Sequence, residues 1–574
     1  MELHRKNYDF WTTDNHFDEK TKEEIKAITD ENEIKERFYK NLEFGTAGLR
    51  GILGAGTNRM NIYTVGASTQ GFADYLLNED IDHTKGVAIS FDPRNMSKEF
   101  AKYTALVFNA NGIKTYIYTD IRPTPQLSFT IRHLNCVAGV MITASHNPKE
   151  YNGYKVYGPD GAQVNSPYDE KIINYVNNTI FDKVKTISIE EAKEKGLYIE
   201  LEEDIDIEFL KECQNISLNP ELIKEFGNIP IVYTPLHGAG YIPTINLLKN
   251  VGFTNIRVVE SQAIPDGNFP TIEYPNPEER EAFNYAIEIT KEINAEIIFA
   301  QDPDADRVGV MCRDKNGDYV KLNGNMVGVI LAEYVITQMQ KKNKLPKNAA
   351  IITSVVSSQM TNIIAEKNNI KCFEVFTGFK HIGELIKKFE TEDTYKFIYG
   401  FEESYGYLIG DYARDKDAIG IAMIICEICA YLKSKNLTML EYLNQIYLKY
   451  GFYKEDTVSI VMKGITGSEK IQKIMEHFTD NYPKQINGID VKEYKNYKTS
   501  QTKNLQTGEI TKLDYPVSNI RYFKLVDDTW ACLRPSGTEP KLKLYIGVVR
   551  DTDEEATKVL EEVKNDFLKI VSSV

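Results

Sequence analysis

The chain has 574 residues, of which 42% are hydrophobic and 26% are charged, and its formal net charge is −15. This length suggests about three to five domains with separate cores, and the composition is typical of globular proteins. The acidic balance argues against a general nucleic-acid binder, although a local basic pocket could still bind an anionic substrate.

The sequence also gives expectations about cellular location. The amino terminus is polar, which argues against a signal peptide. The most apolar run, residues 418–432, contains Glu427 and is too short to span a bilayer. The seven cysteines are scattered and odd in number, which suits a reducing cytoplasm.

Cys426 and Cys429 form a CxxC pair in a helical run. Core packing is favoured over metal or redox use for this pair, because no second pair follows.

The first half of the chain predicts a helical start followed by an α/β module. Residues 1–40 are charged and helix-like, and residues 45–51 mark a glycine-rich loop. β-Branched or aromatic runs then alternate with helical patterns, which indicates βαβ units and a largely parallel sheet. The predicted strands are residues 87–91, 115–118 and 137–142, and the predicted helices are 64–77 and 98–109.

The same alternation occurs twice more. The second segment predicts strands at residues 229–233, 256–259 and 297–300, with helices at 242–249 and 279–293. The third predicts strands at residues 351–356, 373–376 and 397–399, with helices at 326–341, 360–367 and 382–389. Together the three segments indicate a threefold repeat of one α/β module.

The carboxyl-terminal part has a different pattern, in which strands dominate at residues 457–462, 520–526 and 542–549. A final helix follows, with a capping box at Thr552 and Glu555 and apolar residues every three or four positions. This pattern predicts a smaller α+β domain. The polar stretch 494–511 is expected to be a surface excursion.

The first loop that could carry chemistry contains Ser145, followed by His146, and Lys155 lies ten residues after the serine. A serine at the end of a buried strand is well placed to become a covalent phosphoryl carrier. The GxSxG pattern of a nucleophile elbow is absent. A plain turn is the alternative, since Asn147-Pro148 and Asn152-Gly153 both favour turns.

The second loop places Asp302, Asp304 and Asp306 directly after a predicted strand. Three hard oxygen ligands within five residues favour Mg²⁺. A calcium EF-hand is excluded, because its sixth and twelfth positions would be Arg307 and Arg313 instead of Gly and Glu. Arg307 would then bind phosphate beside the metal. A solvated acidic turn is the alternative.

The third loop, residues 400–406, reads Gly-Phe-Glu-Glu-Ser-Tyr-Gly after an apolar run. The carboxylate of Glu402 and the hydroxyl of Ser404 could contact neighbouring sugar hydroxyls. Taken alone, the loop is explained better as the acidic amino terminus of a helix.

The fourth loop, residues 534–540, lies between two predicted strands and reads Arg-Pro-Ser-Gly-Thr-Glu-Pro. An arginine, two hydroxyls and a flexible glycine suit a phosphate dianion, although the P-loop pattern is absent. A plain β-turn explains the isolated motif equally well.

Together and in this order, the four loops resemble those of the α-D-phosphohexomutases, the phosphoglucomutase/phosphomannomutase superfamily. The resemblance covers nearly the whole chain and extends to residues 45–51, 234–238 and 414–417. It implies an α/β fold of three related mixed-sheet modules and a C-terminal α+β domain around a central cleft. We therefore expect domains at residues 1–208, 209–322, 323–447 and 448–574, which carry the phosphoserine, metal, sugar and phosphate loops in that order.

The resemblance also implies a role for each loop residue. Ser145 would be the phosphoserine and, through its phosphate, a ligand of one Mg²⁺ held by Asp302, Asp304 and Asp306. Lys155 would be the general acid and base with His146 as a helper, and Arg50 and Arg307 would surround the transferring phosphoryl group. The sugar contacts would come from Thr377, Gly378, Glu402, Ser404 and Lys416. The non-reacting phosphate would be bound by Arg534, Ser536, Gly537 and Thr538.

The implied activity interconverts α-D-glucose 1-phosphate and glucose 6-phosphate through a phosphoserine and glucose 1,6-bisphosphate, which would also be the activator. Sugar phosphates are the expected partners of a cytoplasmic monomer or homodimer, without nucleic acid or membrane. Phe401 departs from the glucose-type GEES pattern, and with residues 45–51 it resembles the phosphopentomutase-containing branch. Phosphopentomutase, phosphomannomutase or hexose-bisphosphate synthase activity is the alternative. A non-enzymatic phosphoprotein scaffold is disfavoured, because Ser145, all three aspartates and Arg534 are intact and a retired active site usually loses one such residue.

Overall fold

The computed structural model describes residues 2–45, 48–462, 464–536 and 541–574, of which 464–466 are described by their backbone alone. The chain forms two compact units. The first consists of Met1–Ser354 and Ile370–Glu441, and the second of Val355–Asn369 and Tyr442–Val574. Three mixed sheets lie in the first unit and an antiparallel sheet lies in the second.

Three helices precede the first module: α1 (Leu3–Thr13), α2 (Glu19–Lys26) and α3 (Glu31–Phe38). They bury a small aromatic core around Trp11, Phe17 and Phe38. The strands of the first module are β1 (Leu49–Ile52), β2 (Val87–Phe91), β3 (Thr115–Tyr118), β4 (Ala138–Ile142), β5 (Tyr151–Tyr157) and β6 (Tyr198–Leu201). Its helices are α4 (Ile62–Asn78), α5 (Ser97–Ala110), α6 (Thr124–His133), α7 (Tyr168–Asn177), α8 (Ile189–Glu194) and α9 (Glu203–Asn215).

The second and third modules repeat this alternation. The second has helices α10 (Pro220–Phe226), α11 (Tyr241–Val251), α12 (Glu260–Ala263) and α13 (Asn284–Thr290) and strands β7 (Ile231–Thr234), β8 (Ile256–Val258), β9 (Ile297–Gln301), β10 (Val308–Arg313) and β11 (Tyr319–Leu322). The third has helices α14 (Gly324–Lys341), α15 (Met360–Lys367), α16 (Phe379–Glu392) and α17 (Ala418–Lys433) and strands β12 (Ala349–Ser354), β13 (Lys371–Val375), β14 (Lys396–Glu402) and β15 (Gly406–Ile409). Short 3₁₀ turns occur at His83–Lys85, Phe181–Lys183 and Arg280–Phe283.

Strand order confirms the threefold repeat that the sequence predicts. The three sheets contain the equivalent series β3-β2-β4-β5, β8-β7-β9-β10 and β13-β12-β14-β15. In each series the first three strands are parallel, and the fourth is antiparallel to the third. The loops of the β4–β5, β9–β10 and β14–β15 hairpins are the serine, aspartate and sugar loops. The repeat therefore places all three loops at equivalent positions of their modules.

The C-terminal domain is built on antiparallel strands, which confirms the predicted α+β class. Its strands are β16 (Phe452–Val461), β17 (Gln485–Ile486), β18 (Ile489–Asn496), β19 (Gln501–Asn504), β20 (Ile510–Lys512), β21 (Arg521–Leu525), β22 (Trp530–Pro535) and β23 (Lys541–Arg550). Its helices are α18 (Met439–Tyr450), α19 (Gly464–Asp480) and α20 (Asp553–Ser572). The Thr552 side chain caps α20 by accepting from the Glu555 backbone N–H.

The structure adds strands that the sequence did not predict at residues 494–511. β18, β19 and β20 pair in antiparallel ladders that extend the sheet, and β19 and β20 lie near or at its surface, as predicted for this stretch. Tyr494 is buried and stacks on the rings of Tyr482 and Phe523. Backbone hydrogen bonds form the ladder whatever the side chains are, so the polar composition concealed these strands.

A second difference concerns residues 279–293, where the sequence predicts one helix. The structure has a 3₁₀ turn at Arg280–Phe283 followed by the shorter α13. Phe283 and Ala286 are fully buried in the module core. Packing of these side chains sets the local geometry more strongly than helix propensity does.

The apolar run that begins at Ala418 forms α17, which is buried along almost its whole length. Cys426 and Cys429 lie in this helix, and burial raises the pKa of both thiols, as expected of core packing. Among the described residues, no helix combines the length and apolar character that crossing a bilayer requires.

We expect Gly328→Ala in α14 to destabilise the first unit. A Cβ atom there would lie 2.2 Å from Cε2 of the buried Phe401 ring. Alanine favours a helix by roughly 1 kcal/mol over glycine, but overpacking a rigid core costs about 1–3 kcal/mol or more. Differential scanning fluorimetry should show a lower melting midpoint. The double variant with Phe401→Leu should recover part of the loss, and a midpoint at or above that of the wild type in Gly328→Ala would contradict the packing argument.

Candidate functional site

The serine loop connects β4 to β5 and holds Ser145 in a left-handed backbone conformation with φ of 51°. The side chain is nearly buried. Its hydroxyl donates to Oδ2 of Asp302 at 2.8 Å and lies 3.1 Å from Nδ1 of His146. The structure therefore brings together the serine and the aspartate loop, which lie 157 positions apart in the chain.

Asn152 and Gly153, which the sequence offers as turn residues, belong instead to β5. Gly153 pairs with Arg50 of β1 in the sheet register. A Cβ atom on Gly153 would lie 2.5 Å from the Thr143 carbonyl oxygen and 2.9 Å from that of Leu49. The glycine is needed because two neighbouring backbones approach it closely.

The aspartate loop connects β9 to β10 and gathers three buried carboxylates. One oxygen each of Asp302, Asp304 and Asp306 lies within 4.8 Å of the others. Ala305, with φ of 50°, lets the chain reverse inside the loop. Oδ1 of Asp302 accepts from the backbone N–H groups of Asp306 and Arg307, at 3.1 and 3.0 Å. The alternating spacing seen in the sequence therefore converges at one point.

Two observations show that this triad is able to hold a cation. Within the described part of the chain, no hydrogen-bond donor reaches the buried Oδ1 atoms of Asp304 and Asp306. Burial raises the pKa of Asp302 well above its usual range, and the Asp304 and Asp306 carboxylates raise it further. Buried oxygens without donors and crowded negative charge are what a hard divalent cation would compensate.

Two lysines neutralise part of this charge. Nζ of Lys155, on β5, lies 2.8 Å from Oδ2 of Asp304 and 3.3 Å from Oδ2 of Asp306. Nζ of Lys416 lies 3.3 Å from the same Asp306 oxygen and 3.1 Å from Oδ1 of Asp415. Burial would raise the pKa of Asp306, but Lys416, Lys155 and Arg307 outweigh it and hold that pKa below its usual range.

The two predicted arginines of the site lie at its edges. Arg50, on β1, donates from Nη1 to Oδ1 of Asn147 at 3.1 Å, which places its guanidinium beside the serine loop. Arg307 is paired with Glu278, and its Nε lies 3.8 Å from Oδ1 of Asp306. Burial opposes the charge on Arg307, yet Glu278 and Asp306 together raise its pKa.

The third loop is the tip of the β14–β15 hairpin and not a helix start. Oε1 of Glu402 accepts from the backbone N–H of Gly378 at 2.5 Å, so the structure brings these two predicted residues together. Gly378 precedes α16 with φ of 112°, a conformation that favours glycine. Thr377 adjoins it in the chain, and Thr377 and Ser404 are both partly exposed.

The fourth loop lies in the second unit. Arg534 is on β22, and its Nη1 donates to the Tyr545 hydroxyl on β23 at 3.5 Å. The Ser536 backbone N–H donates to the Lys541 carbonyl at 2.8 Å. Gly537 and Thr538 lie outside the described residues.

Comparison with known proteins shows which family the chain belongs to. The three α/β/α domains of the phosphoglucomutase/phosphomannomutase family match residues 41–183 (domain I), 207–317 (domain II) and 323–450 (domain III). A phosphoglucomutase of Staphylococcus aureus (strain MRSA252) is 37% identical over 530 residues, which cover 92% of this chain and 93% of that protein. A phosphoglucomutase of Staphylococcus haemolyticus (strain JCSC1435) is 36% identical over 528 residues, which cover 91% and 93%.

The chain belongs to the phosphoglucomutase/phosphomannomutase family, within the α-D-phosphohexomutase superfamily. Solved structures share the fold. Phosphoglucomutase (pp63/parafusin) from Paramecium, in its open form, has a TM-score of 0.65 and 19% identity over 93% of this chain and 95% of that one. A phosphoglucomutase/phosphomannomutase family protein from Burkholderia thailandensis has a TM-score of 0.63 and 17% identity over 91% and 96%.

Phe401, the residue that departs from the family's glucose-type pattern, packs in the hydrophobic core of its module. The Phe401 ring is fully buried and stacks between Tyr399 and Tyr407, at centroid distances of 5.7 and 6.2 Å. It also packs against Gly328 of α14. Phe401 therefore contributes to the core of the third module, whereas the neighbouring Glu402 carboxylate binds the Gly378 backbone N–H.

Three residues that shape the site were missed by sequence reasoning. Thr124, at the start of α6, donates from Oγ1 to Oδ2 of Asp304 at 2.8 Å, and its backbone N–H donates to the Asp304 carbonyl at 2.9 Å. Asp415 accepts from Tyr157 and Gln163, both at 2.9 Å, as well as from Lys416. Glu278 pairs with Arg307. No local motif marks Thr124 or Glu278, because each acts through a partner distant in sequence. Asp415 lies in the segment 414–417 that resembles the family, and that resemblance was the signal that could have found it.

We expect Thr124→Val to weaken divalent-cation binding by roughly tenfold, the low end for a residue that orients a metal ligand. Thr124 and Lys155 both bind Oδ2 of Asp304, which leaves Oδ1 for a cation. Isothermal titration of the unphosphorylated protein with Mg²⁺ measures the dissociation constant.

Thr130→Val is the matched control, since this buried hydroxyl lies on the same helix and bonds to the Gln126 carbonyl. Unchanged affinity in Thr124→Val, or an equal loss in Thr130→Val, would contradict the role given to Thr124.

Proposed function

We propose that this family member is a phosphoglucomutase that interconverts α-D-glucose 1-phosphate and glucose 6-phosphate through a phosphorylated Ser145. The observation that carries the proposal is the hydrogen bond from the Ser145 hydroxyl to the buried aspartate triad. The names of the Staphylococcus relatives, at 37% and 36% identity over most of the chain, support glucose as the sugar.

The proposed reaction has two phosphoryl transfers. In the first, the P–Oγ bond of phospho-Ser145 breaks and a new P–O bond forms to the free hydroxyl of the sugar monophosphate, which loses its proton. The resulting glucose 1,6-bisphosphate turns around and returns its other phosphoryl group to Ser145, and the vacated sugar oxygen takes up a proton. Glucose 1,6-bisphosphate would also activate enzyme molecules that have lost their phosphate.

We propose Mg²⁺ as the ion of the triad, held by Asp302, Asp304 and Asp306 and by the phosphate on Ser145. When bound, the ion supplies positive charge that offsets the charge of the transferring phosphoryl group. The carboxylate oxygens of the three aspartates are the ligand type that Mg²⁺ prefers.

The chain's own residues supply positioning and charge. Lys155 would exchange the proton at the transferring oxygen, with His146 as a helper 3.1 Å from the serine hydroxyl. Arg50 and Arg307 would bind the transferring phosphoryl oxygens, since guanidinium groups suit phosphate geometry. Because phosphoryl transfer needs little covalent help, such placement would supply most of the rate enhancement.

Substrate binding is assigned to the other two loops. We propose that Glu402 and Ser404 bind the sugar hydroxyls, with Thr377, Gly378 and Lys416 shaping that site. Arg534, Ser536, Gly537 and Thr538 would bind the phosphate that is not reacting. The domain boundaries after residues 208, 322 and 447 stay a prediction, and the first of them lies within α9 and the last within α18. All seven cysteines are free thiols, which supports a reducing cytoplasm as the place of action.

A coupled assay tests the function. Purified protein, Mg²⁺, trace glucose 1,6-bisphosphate and glucose 1-phosphate should yield glucose 6-phosphate, detected by NADPH formation with glucose-6-phosphate dehydrogenase. Mannose and ribose 1-phosphates in parallel reactions test the alternative mutase activities. Faster turnover of either would change the assigned sugar, and no turnover of any would support a scaffold. Accumulation of free glucose 1,6-bisphosphate in a further reaction that contains a bisphosphoglycerate as phosphoryl donor would indicate a synthase.

We predict that Ser145→Ala abolishes turnover, because the variant has no oxygen at this position to carry the phosphoryl group. The coupled assay and intact-mass analysis after incubation with glucose 1,6-bisphosphate measure the loss. Ser434→Ala, which removes an exposed hydroxyl at the end of α17, should retain both activity and phosphorylation. Wild-type turnover in Ser145→Ala would defeat the assignment.

We predict that Arg534→Ala raises the KM for glucose 1-phosphate roughly 10- to 100-fold, the cost of one charge-assisted contact to phosphate. Arg550→Ala is the control, because Arg550 lies on the paired strand and forms an ion pair with Asp527. It should lower the melting midpoint and leave KM unchanged. Equal losses of thermal stability and activity in Arg534→Ala would argue against phosphate binding.

A further inference from the structure

Arg94 is a fully buried residue that the proposed reaction does not use. It follows β2, and its guanidinium donates to backbone carbonyl oxygens along the serine loop. The distances are 2.6 Å to Ser145, 2.8 Å to Pro148 and 3.1 Å to Tyr151, and the Asn147 carbonyl also accepts. One side chain thus binds three backbone groups of the loop that holds the nucleophile and one at the start of β5.

Asp92 holds the same loop from its other end. Its Oδ1 accepts from the backbone N–H of Arg94 at 3.0 Å and from the Ser97 hydroxyl at 2.8 Å. Its Oδ2 accepts from the Thr143 hydroxyl at 2.7 Å, and Thr143 Oγ1 accepts the Ser145 backbone N–H at 2.8 Å. The N–H and the carbonyl of Ser145 are therefore both bound, one through Asp92 and Thr143 and the other by Arg94.

This bonding matters because the Ser145 backbone is in the left-handed region, with φ of 51°. A residue with a side chain adopts that conformation at a cost and keeps it only when its surroundings impose it. The conformation directs the Ser145 hydroxyl toward Oδ2 of Asp302. Without the bonds, relaxation of φ would move the hydroxyl away from that carboxylate.

The second module covers Arg94. Cζ of Arg94 lies 4.9 Å from the centroid of the Phe269 ring, and the Asn95 amide donates to Oδ1 of Asn268 at 3.0 Å. A Cβ atom on Gly267 would lie 2.4 Å from the Asn95 backbone nitrogen. The close contact keeps water away from the guanidinium, and hydrogen bonds are stronger where water is excluded.

We propose that Asp92 and Arg94 are positioning residues for phosphoryl transfer, which hold Ser145 in its left-handed conformation so that its hydroxyl faces the aspartate triad. Neither residue binds the substrate in this proposal. The inference rests on the proposed function, since it concerns how fast Ser145 accepts and donates a phosphoryl group.

The test is Arg94→Lys, which keeps the charge but replaces a planar five-donor group with a single ammonium. Single-turnover phosphorylation of Ser145 by glucose 1,6-bisphosphate and Mg²⁺ is followed by intact mass. We expect the rate to fall roughly 10²-fold, the effect of a small displacement of a reacting group. The KM for glucose 1-phosphate should change little, because the substrate contacts are intact. Asp92→Asn should slow the same step.

Arg521→Lys is the matched control. Arg521 is fully buried in the C-terminal domain and donates to the Ile520 and Met475 carbonyls and the Thr479 hydroxyl. This variant should lose thermal stability and phosphorylate Ser145 at the wild-type rate. An equal loss of rate in Arg521→Lys would show a general stability effect and overturn the positioning role.

Gly267→Ala keeps the proposal testable if Arg94→Lys does not fold, because its new Cβ pushes on the backbone beside Arg94 while every bonding group remains. It too should slow phosphorylation. Wild-type protein that never gains phosphate at Ser145 would overturn the proposed function together with this inference. If the wild type is phosphorylated normally and folded Arg94→Lys or Gly267→Ala is phosphorylated at the wild-type rate, the positioning role is overturned and the proposed function stands.

Discussion

Three carboxylates packed into a water-poor pocket are the constraint on which the first unit depends. Like charges so close repel one another strongly, and burial removes the solvent that would screen them. Positive charge reaches the triad at Asp306 from every module: Lys155 from the first, Arg307 from the second and Lys416 from the third. The charge balance of the site therefore requires the three modules to meet where the triad lies.

Backbone contacts of the aspartate loop reinforce that meeting point. The Asp304 carbonyl accepts from the N–H of Thr124 in the first module, and the Ala305 carbonyl accepts from that of Ala418 in the third. The N–H of Val308 donates to the Tyr405 carbonyl in the sugar loop. Each of the three hairpin loops also contains one left-handed residue that is not glycine, namely Ser145, Ala305 or Tyr405. Such strain is tolerated where surrounding contacts impose it, which is typical of functional loops.

Much of the fold and part of the site could be predicted from the sequence. Short apolar runs such as residues 87–91 and 297–301 are fully buried strands, and local composition is enough to find them. The aspartates at 302, 304 and 306 were predictable because one short loop contains the whole ligand set. The strands at 501–504 and 510–512 were not, since their pairing depends on backbone groups and their side chains are polar.

The sequence by itself determined the order of the four loops, the α/β repeat and the residue types that could carry phosphate and a metal, because these features are local. Only the tertiary structure decided which side chains meet. Thr124 binds Asp304, Tyr157 binds Asp415 and Arg94 supports Ser145. These contacts join residues far apart in the chain, through sheet order and loop conformation. No periodicity or spacing encodes them, since a hydrogen bond specifies atoms in space and not positions in a sequence.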